Sequence, residues 1–186
     1  MLAVGIFYGG VFSVILPLMV RDVFGGGSGE MAVVNTCFWA GTIASTVLQI
    51  RLGALRRPGR AVLLALASGT VVLAAMSLPG PLWVFALVCL FGGVGGGVLL
   101  TQGRTIVQIE TPESHRARAL AIFQLGFTGG SPLGALGMGY LAANAGPRAA
   151  VVYPAAAMLV VLAVLFLRSG LWSHAARPSV RAEASC

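Results

Sequence analysis

The chain has 186 residues, 58% of them hydrophobic and only 9% charged; soluble domains carry about a quarter charged residues, so an ordinary water-facing surface is excluded. The formal charge of +7 comes entirely from arginine, since no lysine is present. These arginines fall between long apolar runs rather than along one helix face with interleaved aromatics, which argues against a nucleic-acid partner and for the positive-inside bias of proteins whose solvent is a lipid bilayer.

Residues 2–20 are uncharged and predict a first crossing, closed by Arg21-Asp22 and the turn Gly25-Gly26-Gly27-Ser28-Gly29. No basic residue precedes MLAVGIFYGG, so a cleaved signal peptide is a poor reading and this span is expected in the mature protein. Phe7, Tyr8, Phe12 and Ser13 offer rings and hydroxyls for a substrate cavity, with Tyr8 and Phe12 four apart on one face; core packing explains the same rings equally well. Residues 31–50 predict a second crossing between Glu30 and Arg51. Here Asn35, Thr42, Thr46 and Gln49 form a polar stripe, suited either to hydrogen bonds between helices or, at Asn35, to a ligand. Asp22 and Glu30 fall at the ends of these two spans, where capping and anchoring at the interface explain them.

The loop RLGALRRPGR places Arg51, Arg56, Arg57 and Arg60 in one short connection, which is expected in the cytosol and against anionic lipid. Residues 61–78 predict a third crossing, Pro79-Gly80-Pro81 a tight turn, and residues 82–103 a fourth that runs on past Arg104 toward Glu110. Gln102 is a further cavity candidate, and Arg104 sits near enough to the helix end to snorkel or to close a gate through Glu110 or an acid from elsewhere. At the next turn Thr111 reads as an N-cap, Pro112 as a first helical residue and Glu113 as first-turn negative charge. Glu110, Glu113, Arg116 and Arg118 therefore join Arg104 as gate or cytosolic-turn candidates.

A fifth crossing is expected over residues 119–142, within about thirty residues free of formal charge, more than the ~20 that cross a ~30 Å hydrocarbon layer. Gly126, Gly130 and Gly134 recur every fourth residue and predict a face for close helix packing; Pro132 in the same segment frees a backbone carbonyl, as a gating contact requires. Asn144-Ala145-Gly146-Pro147 breaks this helix, and residues 149–167 predict a sixth crossing. The chain thus divides into a six-span bundle over 1–168 and a loosely ordered tail over 169–186, expected in the cytosol.

Counting arginines tests the topology, because alternate loops must share a side. One side receives Arg51, Arg56, Arg57, Arg60, Arg104, Arg116, Arg118, Arg168, Arg177 and Arg181, the other only Arg21 and Arg148. Six crossings with both termini in the cytosol satisfy the bias. The third and sixth spans are apolar on nearly every face and are expected to stand toward lipid, leaving the other four as the inner bundle.

An acidic turn with Pro112, the pair Arg116 and Arg118, and a helix carrying Gly129, Gly130, Pro132, Leu133, Gly134 and Gly139 resemble the tenth-to-eleventh helix region of major facilitator superfamily transporters, in the branch of enterobactin and macrolide exporters. Ala117 departs from the glycine usual between the arginines. Arg57-Pro58-Gly59-Arg60 is similar to the tail of the superfamily's loop signature, although Arg56 stands where that signature has an acid and Leu52 where it has a glycine. The resemblance covers nearly the whole chain as the second half of a transporter. It implies an all-α membrane fold, one half of a three-plus-three inverted repeat, whose first and fourth helices line a central cavity. It also implies efflux of a small amphipathic molecule, such as a drug or siderophore, by alternating access, with the N-terminal half or a second copy of this chain as partner.

The alternative is a non-transporting scaffold or truncated product that self-associates. No carboxylate lies mid-span, so a proton relay within these six helices is not expected. An enzyme is not expected either: His115 and His174 fall in a turn and the tail, without a Ser/His/acid set. The glycines from Gly92 to Gly97 have neither a flanking strand nor a following lysine. Cys37, Cys89 and Cys186 lack metal or disulfide spacing, so neither a metal nor a cofactor is anticipated.

Overall fold

A computed structural model describes residues 1–52 and 58–168. The described residues form six helices long and apolar enough to cross a membrane: α1 (Leu2–Val23), α2 (Ser28–Leu52), α3 (Pro58–Met76), α4 (Leu82–Glu110), α5 (Arg116–Ala145) and α6 (Pro147–Arg168). Arg56 and Arg57 of the loop signature, and the expected tail with His174 and Cys186, lie outside the described residues.

Local chemistry sets the helix ends. Gly25 turns left-handed (φ 62°), and the Gly26 N–H closes α1 on the Val20 carbonyl at 2.9 Å. Glu30 reaches back to accept the Gly27 N–H at 2.8 Å, the acidic half of a capping box at the start of α2. One expectation needs correcting: Thr111 does not cap a helix but ends α4 in an extended conformation (φ −105°, ψ 129°), because a residue before proline is driven out of the α region. A single 3₁₀ turn, Glu113–His115, follows, and α5 starts at Arg116. At its far end the Gly146 N–H bonds the Ala142 carbonyl at 2.9 Å, and Pro147 opens α6.

The helices interlock across the two triplets. The first helix of each packs on the middle helix of the other, α1 on α5 and α4 on α2, while the third helices, α3 and α6, pack on each other. This exchange is the contact pattern of an inverted repeat. Both crossings depend on glycine for room rather than for dihedral freedom. A Cβ on Gly134 would overlap the Ile6 carbonyl oxygen, and one on Gly93 would overlap that of Phe38. Such close approach of backbones is what small residues at membrane helix interfaces permit.

Within the six-helix unit α1 and α3 are the most enclosed, α4 and α6 less so, and α2 and α5 least. Uniform apolarity left the buried face of α3 and α6 unmarked, yet each has one. Val62, Leu66, Leu73 and Met76 of α3, and Ala150, Val151, Ala155 and Met158 of α6, belong to one core. On α5, by contrast, Gln124, Thr128, Gly129, Pro132 and Gly137 are exposed, alongside Leu125, Leu133 and Leu136. Polar and small residues on a membrane helix face call for a protein or water neighbour rather than hydrocarbon.

α1 winds irregularly. Gly5–Gly9, Val11–Ile15 and Met19–Val23 form wide π-type turns, in a helix that also contains the pair Gly9-Gly10 and Pro17. Pro17 removes a ladder donor and the glycine pair loosens the turn before it, and such wide turns concentrate at functional sites.

Candidate functional site

A cavity of about 340 Å³ opens between α1, α2, α3, α4 and α5. Its rings come from Tyr8, Phe12, Phe38, Trp39 and Phe127, and its polar edges from Ser13, Thr42 and Ser131. Phe12 anchors an aromatic cluster, with ring centroids 4.6 Å from Phe38 and 6.4 Å from Trp39, the latter edge-on. The Tyr8 hydroxyl donates to the Leu66 carbonyl of α3 at 3.1 Å, and Gly69 supplies the space beneath it. That bond satisfies the phenol and fixes its ring as a wall. Ser13 turns inward on its own helix and donates to the Gly9 carbonyl at 2.7 Å.

Of the six cavity candidates, Tyr8, Phe12 and Ser13 line this space and Phe7, Asn35 and Gln102 do not. Phe7 packs against the core. Asn35 lies a turn away from Phe38 and Trp39, with its amide oxygen buried and unpartnered among the described residues. Gln102, only 6% exposed, lies further along α4 than Leu100, the last lining residue of that helix. There it donates to the Gln49 Oε1 of α2 at 2.7 Å, while Gln49 Nε2 reaches the Ser45 carbonyl at 3.2 Å. Gln102 and Gln49 thus bond to each other rather than face the cavity.

The rest of the α2 stripe is also internally engaged. Thr42 Oγ1 stands 3.1 Å from the carbonyls of Phe38 and Gly93, and Thr46 donates to the Thr42 carbonyl at 2.9 Å. The glutamine pair yields a direct prediction. Gln102→Leu leaves Gln49 without its partner and is expected to cost about 1 kcal/mol, whereas the double variant Gln49→Leu/Gln102→Leu regains most of that. Thermal melts of the single and double variants in detergent measure the coupling; simple additivity would discount the bond.

The turn between α4 and α5 gathers the remaining candidates. Glu110, Glu113 and Arg118 are exposed, and Arg116 is half-buried with its Nε unpartnered among the described residues. Arg104 does not pair with Glu110: its Nη2 donates to the Gln124 Oε1 of α5 at 2.8 Å, and Gln124 Nε2 donates to the Thr128 hydroxyl at 3.1 Å. An ion pair joins Arg21 and Asp22, at the end of α1 away from that turn. Gly126, Gly130 and Gly134 face α1, with Leu2, Gly5 and Ile6 against them, and Pro132 is exposed on the same helix. No group of three or more His, Cys, Asp or Glu suited to a metal occurs among the described residues.

Phe38, Trp39, Leu100, Phe127 and Ser131 were not anticipated. The adjacent aromatics Phe38-Trp39, set in an otherwise aliphatic and polar span opposite Phe12, were the available signal.

Six packed membrane-length helices, five of them around an apolar cavity, correspond to a known group. The family described as transmembrane secretion effector, MFS_3, matches residues 2–182. The chain belongs to that family. It is accordingly a multi-pass membrane protein of the major facilitator superfamily and a transporter in kind. A comparison with curated proteins returns no match. In this family member the secretion-effector fold places α1 and α4, the first helices of the two triplets, at the cavity wall together with α3, and α2 and α5 complete it.

Proposed function

We propose that these six helices act as one half of a secondary transporter that exports a small amphipathic molecule by alternating access. The observation that carries this reading is the cavity bounded by Tyr8, Phe12, Phe38, Trp39 and Phe127. It is lined mostly by apolar and aromatic side chains, with a few hydroxyls at its edge, as pockets for small amphipathic molecules are. The partner is a second six-helix half, supplied by an N-terminal unit or by a second copy, seated on the open faces of α2 and α5. Exposed Gly129, Pro132 and Gly137 on α5 support that placement.

The resemblance to bacterial exporters supports a location in the bacterial inner membrane, and the arginine bias supports an orientation with both termini and the 52–58 and 110–116 connections in the cytosol. Labelling tests both the orientation and the even number of crossings. A membrane-impermeant maleimide added to intact cells is expected to modify Gly26→Cys fully and Ser114→Cys only after permeabilisation. The reverse pattern, or equal labelling, overturns the topology. Binding of a dansyl-labelled fatty amide to the purified chain in nanodiscs tests the cavity; no binding at micromolar protein removes the transport reading.

A further inference from the structure

Arg104 stands about 9 Å from the end of α4, six residues before Glu110, on a helix face that also carries Leu100 one turn earlier. Leu100 lines the cavity, as do Phe127 and Ser131 of α5, and Gln124 and Thr128 each precede one of these α5 residues by three positions. Arg104 and Gln124 therefore lie one turn beyond the lining residues Leu100 and Phe127, toward the α4–α5 turn, and Thr128 is level with the lining, between Phe127 and Ser131. All three side chains are exposed within the six-helix unit.

The direction of these hydrogen bonds is forced. Arginine has no acceptor, so the Gln124 amide must turn its oxygen to Arg104, at 2.8 Å, and its nitrogen to Thr128, at 3.1 Å. Thr128 spends a lone pair on that contact and keeps its O–H. Donors then outnumber acceptors: further guanidinium N–H groups, the second amide N–H of Gln124 and the Thr128 hydroxyl proton remain, against one lone pair each on Gln124 Oε1 and Thr128 Oγ1. Among the described residues no carboxylate forms an ion pair with Arg104. A row of donors carrying one positive charge matches a group that only accepts and is negative.

Building on the cavity reading above, we infer that Arg104, Gln124 and Thr128 form a carboxylate-binding subsite at the cavity's edge, so that the substrate is an amphipathic anion. Its apolar body lies against Phe12, Trp39 and Phe127, and its carboxylate meets Arg104. The partial desolvation of a guanidinium near the bilayer interface strengthens this pairing relative to water.

The test uses the full chain in nanodiscs with two probes of one shape, a dansyl-labelled long-chain fatty acid and its primary amide, followed by dansyl fluorescence. The acid is expected to bind about tenfold more tightly than the amide. Arg104→Gln should remove that difference by weakening the acid alone, and Gln124→Glu, which gives Arg104 an internal carboxylate and keeps the helix contact, should do the same. Equal affinity of acid and amide in the parent chain overturns the subsite while leaving the cavity reading intact; failure of both probes to bind overturns the cavity reading. Equal affinity together with lost thermal stability in Arg104→Gln would assign the donor row to a carboxylate of the covering half, against the proposal.

Discussion

Gly134→Val is expected to lower the melting temperature of the chain in detergent by roughly 5–10 °C, corresponding to about 3 kcal/mol of overpacking. The cause is backbone against backbone: a Cβ at Gly134 would occupy the position of the Ile6 carbonyl, with Ile6 C and Cα also in the way, and none of these atoms can rotate aside. α1 and α5 would have to separate, and Gly10, which packs against Gly134, would lose its contact as well. Gly93→Val should cost a similar amount, because Gly93 meets the Phe38 carbonyl and Thr42 N at the equivalent crossing of α2 and α4. Gly137→Ala is the control. Nothing lies within 4 Å of a Cβ there, and alanine favours the helix by about 0.5–1 kcal/mol over glycine. Its melting temperature should hold or rise. If Gly134→Val and Gly137→Ala melt alike, the tight crossing of α1 and α5 is not what holds the bundle together.

The crossings were legible in the sequence because uninterrupted apolar length is a property of a segment by itself. The every-fourth-residue glycines of α5 were legible for the same reason, since spacing fixes a face without reference to a partner. Which face meets which helix is not such a property. The third and sixth spans carry no polarity contrast, so nothing in them marks the stripe through Leu66 and Met158 that joins the core. The cavity suffered in the opposite way: polarity drew attention to Asn35 and Gln102. A buried amide is at least as readily a tie between helices as a ligand contact, and Gln102 and Gln49 satisfy each other at 2.7 Å. The walls are instead mostly aliphatic side chains and glycines, and the rings among them, from α1, α2 and α5, converge only once the triplets interlock. Arg104 shows the same limit. Its depth along α4 could be counted from the sequence, but its partner, Gln124, lies across the α4–α5 turn and is reached only through the packing of those two helices.

Gly96→Phe is expected to abolish probe binding, lowering affinity for the dansyl amide and the dansyl acid alike by more than tenfold, while leaving the fold in place. Gly96 lines the cavity, and the nearest atom to a Cβ there is Phe38 Cζ at 3.8 Å, an ordinary van der Waals distance. A Cβ therefore enters without moving backbone, and because Gly96 lines the cavity a phenyl group built on it is expected to occupy space that the amphipathic molecule needs. The glycine it replaces contributes no packing of its own and is a poor helix former, so the helix itself gains slightly. Stability and binding should consequently move in different directions, which a merely damaging substitution cannot produce. Gly96→Ala, adding one methyl group at the same point, should keep most of the affinity and so grade the effect by volume. Should Gly96→Phe fold normally and still bind both probes, the ligand sits elsewhere on the bundle, and Phe12, Phe38 and Trp39 are core residues that happen to border a void.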